Sequence, residues 1–261
     1  MIVAGCDVGS LTAKVVLLGD GRILSSSIVR AKSKPEDSAR EVMDIALKEA
    51  GIKINDINYC VGTGYGRKKV SFVDCSISEI ACHGKGSLWL LPTVRTVIDI
   101  GGQDCKVVKI DQAGNIVKFV TNDKCAAGTG RFLEVMANIL EVKLEELGRL
   151  SSLGKKTVKL ASTCTVWAQA EVVSKLNDGE SIADIGAAVN QAMASRVGIL
   201  ANSVGLERDV CMSGGVAKNR GVFQELEKLL GVRIKRPRID PQLIGALGAA
   251  VYAIEKGKGG R

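Results

Sequence analysis

The sequence contains an internal repeat, in which residues 3–18 (VAGCDVGSLTAKVVLL) align without gaps with residues 95–110 (RTVIDIGGQDCKVVKI). Chemically identical residues recur at matched positions: Asp7 with Asp99, Gly9 with Gly101 and Lys14 with Lys106. A repeat of this length indicates two similar domains, each with an acidic turn that contains glycine. Two such turns facing each other would form a cleft that clamps a metal-bound phosphate chain. The repeat therefore constrains the chain to a duplicated fold.

The second copy of the repeat contains the motif DIGGQD at residues 99–104. Apolar and β-branched residues predict a buried strand at 94–100, and further strands at 105–110 and 116–120 that form a hairpin. Glycines have no Cβ, so backbone N–H groups can approach a phosphate, and a neighbouring carboxylate can hold Mg²⁺. The motif therefore predicts a phosphate-binding hairpin, with an ordinary polar hairpin turn as the alternative.

The composition favours a globular protein of the cytoplasm. Hydrophobic residues make up 46% of 261 residues, enough for real cores, and no run of 18 apolar residues is present. The early Asp7 argues against a signal peptide, so the eight cysteines are expected to be mostly thiols. Because the sequence lacks any CxxC pair, it encodes no zinc ribbon or local ferredoxin-type cluster site.

The net charge of +8 raises the possibility of nucleic-acid binding. Aromatic residues are only 3% of the chain, which leaves few platforms for base stacking. The sequence also lacks a helix-turn-helix or zinc-finger signature. The charge is therefore better explained by docking onto an acidic protein or by solubility.

A glycine-rich turn at residues 62–67 follows the strand predicted at 57–61. It lacks the spacing of the dinucleotide-binding and P-loop motifs, so it is interpreted as a flexible turn, with a contact surface as the alternative. The helix predicted at 78–90 carries Cys82 and His83. Neighbouring residues on a helix cannot both point at one metal ion, so this pair is predicted to be structural.

Two cysteines lie at predicted helix N-termini. Cys125, in the segment 122–132, is expected just before or at the start of a helix, and Ser162 and Thr163 are predicted N-caps beside Cys164. A helix N-terminus stabilises thiolate, the form that binds iron. The alternative is two small buried hydrophobic residues. One chain supplies only two thiolates, whereas a symmetric dimer could supply the four that a cluster needs.

A third glycine turn, SGGVAKN at residues 213–219, follows a strand predicted at 209–212 and precedes a helix. The adenosine end of a nucleotide can lie against such bare backbone. Because it comes third in order after two acidic turns, this motif supports nucleotide binding. Short strands are also predicted at 158–160 and 232–235, and small residues from Gly245 onward predict a closely packed last helix.

Five segments together resemble one family: DVGSLTAK (7–14), IDIGGQD (98–104), NDKCAAGTGRFLEVMANILEV (122–142), STCTVWAQAEV (162–172) and SGGVAKN (213–219). The family is that of the ATP-dependent activators of 2-hydroxyacyl-CoA dehydratases, with the related ATPase subunits of benzoyl-CoA reductases. It belongs to the superfamily of actin, sugar kinases and Hsp70 chaperones. The resemblance implies an α/β fold of two similar actin/Hsp70-like, ribonuclease H-like domains with an ATP cleft between them. The expected domains are residues 1–93 and 94–261, with the helix at 241–261 packing back on the first.

The resemblance also implies cofactors and partners. A 4Fe–4S cluster is expected to be shared by a homodimer, with Cys125 and Cys164 as its ligands in each chain. ATP and Mg²⁺ are expected, with a ferredoxin or flavodoxin as electron donor and a dehydratase or reductase as partner. The implied nucleotide contacts lie in the three turns and before the last helix: Ser10, Leu11, Thr12, Ala13, Lys14, Gly101, Gly102, Gln103, Gly214, Gly215, Lys218 and Gln242.

The predicted activity is ATP hydrolysis coupled to delivery of an electron at low potential. Asp7 and Asp99 occupy equivalent places in the repeat, so they are expected to face one Mg²⁺–phosphate unit from opposite sides. Asp104 is a further candidate, for positioning the attacking water. Two alternatives are a small-molecule kinase of the same superfamily and an ATP-gated binding module or filament former. The motifs depart from the family in Trp167, which replaces Phe, and in Cys105.

Overall fold

The computed structural model describes residues 1–122, 125–161 and 164–258 of the chain. These residues form two compact units. The first unit contains Met1–Val97, Lys109–Val117 and the residues from Pro237 onward, and the second contains Ile98–Val108 and Lys118–Arg236. The segment from Pro237 onward therefore groups with the N-terminal part of the chain.

The strands form two five-stranded sheets, in the orders β3-β2-β1-β4-β5 and β8-β7-β6-β9-β10. In chain order they are β1 (Ile2–Val8), β2 (Thr12–Gly19), β3 (Arg22–Arg30), β4 (Tyr59–Thr63), β5 (Cys75–Ser76), β6 (Thr96–Ile100), β7 (Cys105–Ile110), β8 (Ile116–Asn122), β9 (Val210–Ser213) and β10 (Ile234–Lys235). Strand β1 pairs antiparallel with β2 and parallel with β4. The two sheets have the same strand order, which confirms the predicted α/β fold with two similar units.

Helices cover these sheets and connect their strands. In chain order they are α1 (Pro35–Ala50), α2 (Glu79–Leu90), α3 (Gly130–Ile139), α4 (Leu144–Leu153), α5 (Thr165–Asn177), α6 (Ile182–Val204), α7 (Arg220–Leu230) and α8 (Ile244–Lys258). The connection from β3 to β4 contains α1 and one 3₁₀ turn, whereas the corresponding connection from β8 to β9 contains α3 to α6. Both cysteines of the family motifs lie in this longer connection.

The first unit buries side chains on both faces of its sheet. Along β1, Ala4 and Cys6 pack with α1 residues such as Met43, whereas Val3 packs with α8 residues such as Leu247. This alternation follows the two-residue period of a strand. Helix α1 ends at its C-cap Gly51, whose φ of 68° is the left-handed conformation that favours glycine.

Helices α2 and α8 of the first unit approach each other closely because small residues face the contact. A Cβ on Gly248 would overlap the carbonyl of Cys82, and a Cβ on Gly86 would overlap the carbonyl of Ile244. Strand β1 approaches α8 in the same way, since a Cβ on Gly5 would overlap the carbonyl of Ala246. These contacts fix the start of α8 beside the carboxyl end of β1.

The core of the second unit is formed by one face of its sheet and the helices between β8 and β10. Phe132, Met136 and Met193 are fully buried there, together with Ile98 and Val107. The strand predicted at residues 158–160 is wrong, because these residues are not paired with another strand. Val158 is buried and Leu160 packs against this core, which accounts for the apolar pattern without a strand.

Within the described part of the chain, no helix is long and apolar enough to cross a membrane.

Candidate functional site

Asp7 lies near the carboxyl end of β1 and pairs with Lys14 on the neighbouring strand. The two residues are directly opposite in the antiparallel register, and Lys14 Nζ lies 3.1 Å from Asp7 Oδ2. The carboxylate is buried, so the ion pair offsets the cost of removing a charge from water. The repeat therefore places an acid and a base as a cross-strand pair.

Asp99 has the corresponding position at the carboxyl end of β6 in the second unit. Lys106 Nζ lies 3.6 Å from Asp99 Oδ2 and 2.6 Å from Asp104 Oδ2. Both Asp99 and Lys106 are buried. The lysine of the second repeat is thus shared by two carboxylates, and Asp104 has the shorter contact.

The two turns that follow these aspartates have the same backbone hydrogen bond. The N–H of Gly9 donates to the carbonyl of Thr12 at 3.0 Å, and the N–H of Gly101 donates to the carbonyl of Asp104 at 2.9 Å. A Cβ on Gly9 would lie 3.2 Å from Lys14 Nζ. The absent side chain therefore leaves room in the turn for the lysine that pairs with Asp7.

Each aspartate is also covered by a glycine that follows a neighbouring strand. Gly64 after β4 has φ 84°, and Gly214 after β9 has φ 82°. A Cβ on Gly64 would overlap Asp7 Oδ1, and a Cβ on Gly214 would lie 2.9 Å from Asp99 Oδ1. The glycine-rich turn at 62–67 therefore lies against the carboxylate of Asp7. It is the first-unit counterpart of the turn at 213–218.

A shared pattern in these two turns could have identified that correspondence. Each begins with a hydroxyl residue and a glycine and has a lysine four positions after the glycine: Thr63, Gly64 and Lys68 in one, and Ser213, Gly214 and Lys218 in the other. Both are followed by a 3₁₀ turn. The hydroxyls differ in their partners, because Ser213 donates to Asp99 Oδ1 at 2.8 Å and Thr63 donates to the carbonyl of Ile77 at 2.9 Å.

The other predicted nucleotide contacts lie at the same edge of each sheet. In the first unit, Ser10 and Leu11 connect β1 to β2, and Thr12, Ala13 and Lys14 begin β2. In the second unit, Gly101, Gly102 and Gln103 connect β6 to β7, and Gly214, Gly215 and Lys218 follow β9. Gln242 belongs to the first unit, where its N–H donates to Asp240 Oδ1 at 3.0 Å before α8. Ligands of α/β proteins bind outside the carboxyl ends of the strands, which is where both sets of turns lie.

The cysteines fall into three groups by exposure. Cys125 and Cys164 are exposed, Cys75 is half-buried and the remaining five are buried. Burial raises the pKa of the Cys60 and Cys82 thiols to about 12. Thiolate is the form that binds iron, so the buried thiols are poor ligands and the exposed pair are the candidates.

The segment that holds Cys125 lies between the end of β8 and the turn that follows Asp99. Asn122, the last residue of β8, donates through Nδ2 to the carbonyls of Ala127 at 2.8 Å and Cys125 at 3.3 Å. At the start of α3, the N–H of Gly130 donates to the carbonyl of Gly101 at 2.8 Å, and that of Arg131 donates to the carbonyl of Gly102 at 2.9 Å. The Cys125 segment is thus bonded to β8, and the helix that follows it is bonded to the turn after Asp99.

Cys125 and Cys164 differ in their relation to the helices. Cys125 lies five positions before α3, so it precedes the helix rather than occupying its N-terminus. Cys164 is the N-cap of α5, and its carbonyl accepts the first helical hydrogen bond from Ala168. Ser162 and Thr163, the predicted N-caps, lie outside the described residues.

Arg196 on α6 is a charged group near both exposed cysteines that the sequence did not predict. The guanidinium of Arg196 lies 4.7 Å from the ring centroid of Phe132. A Cβ built on Gly128 would lie 3.6 Å from the Cβ of Arg196. Burial lowers the pKa of Arg196, and the neighbouring thiolates of Cys125 and Cys164 act in the opposite direction. The two thiols therefore share one positive neighbour on the second unit.

The thiols of Cys125 and Cys164 are half of the ligands that a four-thiolate site needs. Among the described residues, no group of three or more His, Cys, Asp or Glu side chains is placed to hold a metal ion. Two exposed thiols beside one cation fit a cluster completed by the same pair from a second chain.

Comparison with known proteins assigns a family to this arrangement. A sequence profile of the BadF/BadG/BcrA/BcrD ATPase family matches residues 4–253. The chain is 47% identical over 256 residues to the activator of lactoyl-CoA dehydratase from Anaerotignum propionicum, with 98% of each chain covered.

Solved structures of similar proteins have the same fold. The structure of (R)-2-hydroxyglutaryl-CoA dehydratase component A from Acidaminococcus fermentans matches with TM-score 0.95 and 45% identity, covering 99% of both chains. The activator of 2-hydroxyisocaproyl-CoA dehydratase from Clostridium difficile, solved with bound ADPNP, matches with TM-score 0.95 and 42% identity, covering 99% of this chain and 96% of that one. A ROK family glucokinase from Streptomyces griseus matches with TM-score 0.57 and 14% identity, covering 98% and 100%, a likeness of fold alone.

Proposed function

The chain belongs to the BadF/BadG/BcrA/BcrD ATPase family, and from this premise we propose that it is an ATP-hydrolysing activator of a 2-hydroxyacyl-CoA dehydratase or a similar iron–sulfur reductase. Its task is to deliver an electron at low potential to that partner, at the expense of ATP. The observation that carries the proposal is the combination of two equivalent acidic phosphate turns with a pair of exposed cysteines.

ATP is bound by the turns at the carboxyl ends of the central strands. Asp7 and Asp99 would hold the Mg²⁺ that accompanies the phosphates, and the ion would neutralise phosphate charge. The glycine turn at Gly214 and Gly215 accepts the adenosine end, because bare backbone permits close approach. Asp104, held by Lys106 at 2.6 Å, positions the attacking water. The equivalence of the two turns supports the shared role of Asp7 and Asp99.

The thiols of Cys125 and Cys164, with the same pair of a second chain, would hold a 4Fe–4S cluster. Such a cluster supplies one-electron redox chemistry at this place. Val166 and Trp167 are exposed on α5 directly after Cys164, which gives the homodimer an apolar surface beside the thiols. Arg196 offsets the negative charge of the thiolates.

Nucleotide binding acts on the cysteine segment through the second unit. The carbonyls of Gly101 and Gly102 accept hydrogen bonds from the first residues of α3, so a shift of the phosphate turn moves that helix. The same shift reaches Cys125 through β8 and Asn122. The donor of the electron is a ferredoxin or flavodoxin, and the acceptor is the dehydratase or reductase.

The test uses the full chain purified without oxygen. We expect bound iron and sulfide, ATP hydrolysis, and activation of a 2-hydroxyacyl-CoA dehydratase that requires both ATP and a reductant. Asp7→Asn and Asp99→Asn are expected to lower ATP turnover at least about tenfold, or about 1.4 kcal/mol, without changing the visible spectrum. A colourless, iron-free protein after anaerobic reconstitution would overturn the proposal, as would ATP consumption that depends on a sugar. Unaltered turnover in both variants would remove the metal-side role of the two aspartates.

A further inference from the structure

His83 is the only histidine in the sequence and lies on α2 of the first unit. Its side chain is buried, with 7% of the residue exposed. The sequence predicts a structural role for it, and no step of the proposed function uses it. Its position nevertheless places an imidazole beside the phosphate turn of the same unit.

Gly245, in the first turn of α8, connects His83 to Asp7. A Cβ on Gly245 would lie 2.9 Å from His83 Nε2 and 3.0 Å from Asp7 Oδ2. The two polar atoms therefore border the same small space and lie no farther apart than the sum of these distances. A separation within this bound suits a bridge through one water molecule.

The backbone around this space is fixed by close helix contacts. A Cβ on Gly248 would overlap the carbonyl of Cys82, so the backbones of α2 and α8 are in close contact next to His83. Gly245 and Gly248 are three positions apart and thus lie on the same face of α8. This helix contact places the imidazole beside Asp7 within the first unit.

The two oxygens of Asp7 have different surroundings. Oδ1 is covered by Gly64, and Oδ2 receives the ammonium of Lys14 at 3.1 Å. A lysine on a flexible stem holds a carboxylate at one point and leaves it free to turn. A second donor at Oδ2 removes that freedom, which matters for a carboxylate that must meet a hydrated Mg²⁺ in one orientation.

We propose that His83 is a positioning residue of the nucleotide site, whose Nε2–H holds Asp7 Oδ2 through one water beside Gly245. The inference rests on the proposed function, because it assumes that Asp7 serves Mg²⁺-bound phosphate. Gly245 is part of this arrangement, since any side chain there would occupy the space between His83 Nε2 and Asp7 Oδ2.

Two substitutions at His83 test the hydrogen bond. His83→Leu removes both ring nitrogens, whereas His83→Gln keeps an amide near the position of Nε2. A hydrogen bond to a charged group contributes about 1.5–3 kcal/mol, so we expect His83→Leu to lower ATP turnover by about 10- to 100-fold. His83→Gln is expected to recover most of it, and affinity for Mg·ADP, measured by calorimetry, is expected to change less than turnover.

A glycine pair controls for packing. Gly245→Ala is expected to lower turnover as His83→Leu does, because its methyl group separates the two polar atoms. Gly198→Ala makes the same change inside α6, where the nearest atom would be 4.0 Å away, and is expected to leave turnover unchanged. Thermal unfolding of each variant verifies that it is folded.

Because the chain has one histidine, its imidazole protons can be observed directly by NMR. We expect them to shift when Mg·ADP is added, and also in Asp7→Asn without nucleotide. Imidazole signals that do not respond to Asp7→Asn, or wild-type turnover in folded His83→Leu, would overturn the inference. If Mg·ADP binds but His83 does not respond to it, only this inference fails. If no nucleotide binds, the proposed function fails with it.

Discussion

Gly64 and Gly214 lie against Asp7 and Asp99, and a side chain on either glycine would collide with the aspartate. Both have positive φ, and a Cβ on either would press on a carboxylate oxygen and on the strand that carries it. A Cβ on Gly64 would lie 2.6 Å from the carbonyl oxygen of Val8, and a Cβ on Gly214 would overlap the carbonyl oxygen of Ile100. Val8 and Ile100 occupy the same position in the internal repeat. The positive φ and the absence of a Cβ are therefore two separate reasons why glycine is required at these positions, and they can be tested separately.

Gly64→Ala and Gly21→Ala form a matched pair for this test. Both glycines have positive φ, but a Cβ on Gly21 would meet no atom within 4 Å. Each variant bears the left-handed penalty of about 1–2 kcal/mol, and only Gly64→Ala adds an overpacking cost of about 1–3 kcal/mol. We expect Gly64→Ala to lose ATP turnover and Gly21→Ala to retain it. Urea unfolding and turnover measured together check this, and equal losses in both variants would contradict it.

The exposed cysteines are expected to differ from the rest in metal binding. Cys125→Ala and Cys164→Ala should each abolish cluster binding and weaken dimerisation, because each removes two of four ligands from a symmetric dimer. Cys75→Ala is the matched control, since Cys75 is the most accessible of the other cysteines. Iron content and sedimentation velocity measure the two effects. Equal iron loss in Cys75→Ala, or in variants of Cys6, Cys60 or Cys211, would contradict the assignment.

At the scale of elements, α6 begins with a carboxylate that also fixes the loop before α5. Asp184 Oδ1 accepts hydrogen bonds from the N–H groups of Lys155 at 2.6 Å and Lys156 at 2.7 Å, and Oδ2 accepts from the Ser181 hydroxyl at 2.6 Å. The Ser181 hydrogen bond, then those of Lys156 and Lys155, lower the pKa of Asp184. This residue therefore links the start of one helix to the chain that leads to Cys164.

The lowered pKa gives a pH-dependent contribution to stability. A carboxyl group whose pKa is lower in the folded than in the unfolded protein stabilises the folded state at pH values above the unfolded pKa of about 3.9. That stabilisation is lost as the pH falls through the pKa of the folded state. We expect Asp184→Asn to unfold at lower urea than wild type at pH 7, with the two midpoints converging in strong acid. Asp178→Asn, at an exposed aspartate after α5, is the control and should not alter the pH profile. A difference that stays constant with pH would refute the ionic origin.

Elements with strong local patterns were predictable from the sequence, whereas contacts between distant residues were not. Helix α6 (Ile182–Val204) has such a pattern, because its apolar stripe is local information. The strand predicted at 158–160 was wrong, since a short apolar run does not reveal whether it pairs with another strand or only packs against the core. Helix α4 was not predicted. The contacts of Gly64 and Arg196 escaped prediction because each depends on a partner remote in the chain.

At the scale of the molecule, the predicted coupling between nucleotide and redox state must be reciprocal. If ATP shifts the potential of the bound cluster, oxidation state must shift ATP affinity by the same free energy. A shift of about 59 mV for one electron corresponds to about 1.4 kcal/mol, or tenfold in affinity. We expect the dissociation constant of a non-hydrolysable ATP analogue to differ between oxidised and reduced protein, measured anaerobically.

The competing view is that the cluster only joins two chains. Identical dissociation constants in both redox states, with unchanged accessibility of iron to a chelator, would support that view and exclude coupling. Asn122→Ala is a useful variant here, because it removes the hydrogen bonds between β8 and the Cys125 segment. It is expected to reduce the difference between the two states while ATP hydrolysis persists.

The unequal connections in the two sheets have a consequence for how the chain can be altered. Both sheets have the same strand order, yet the connection from β8 to β9 contains four helices and holds both exposed cysteines. The exposed thiols and the two acidic turns therefore lie in separate segments of the chain. A change confined to the β8–β9 connection can remove the thiols without altering the strands that bear Asp7 and Asp99.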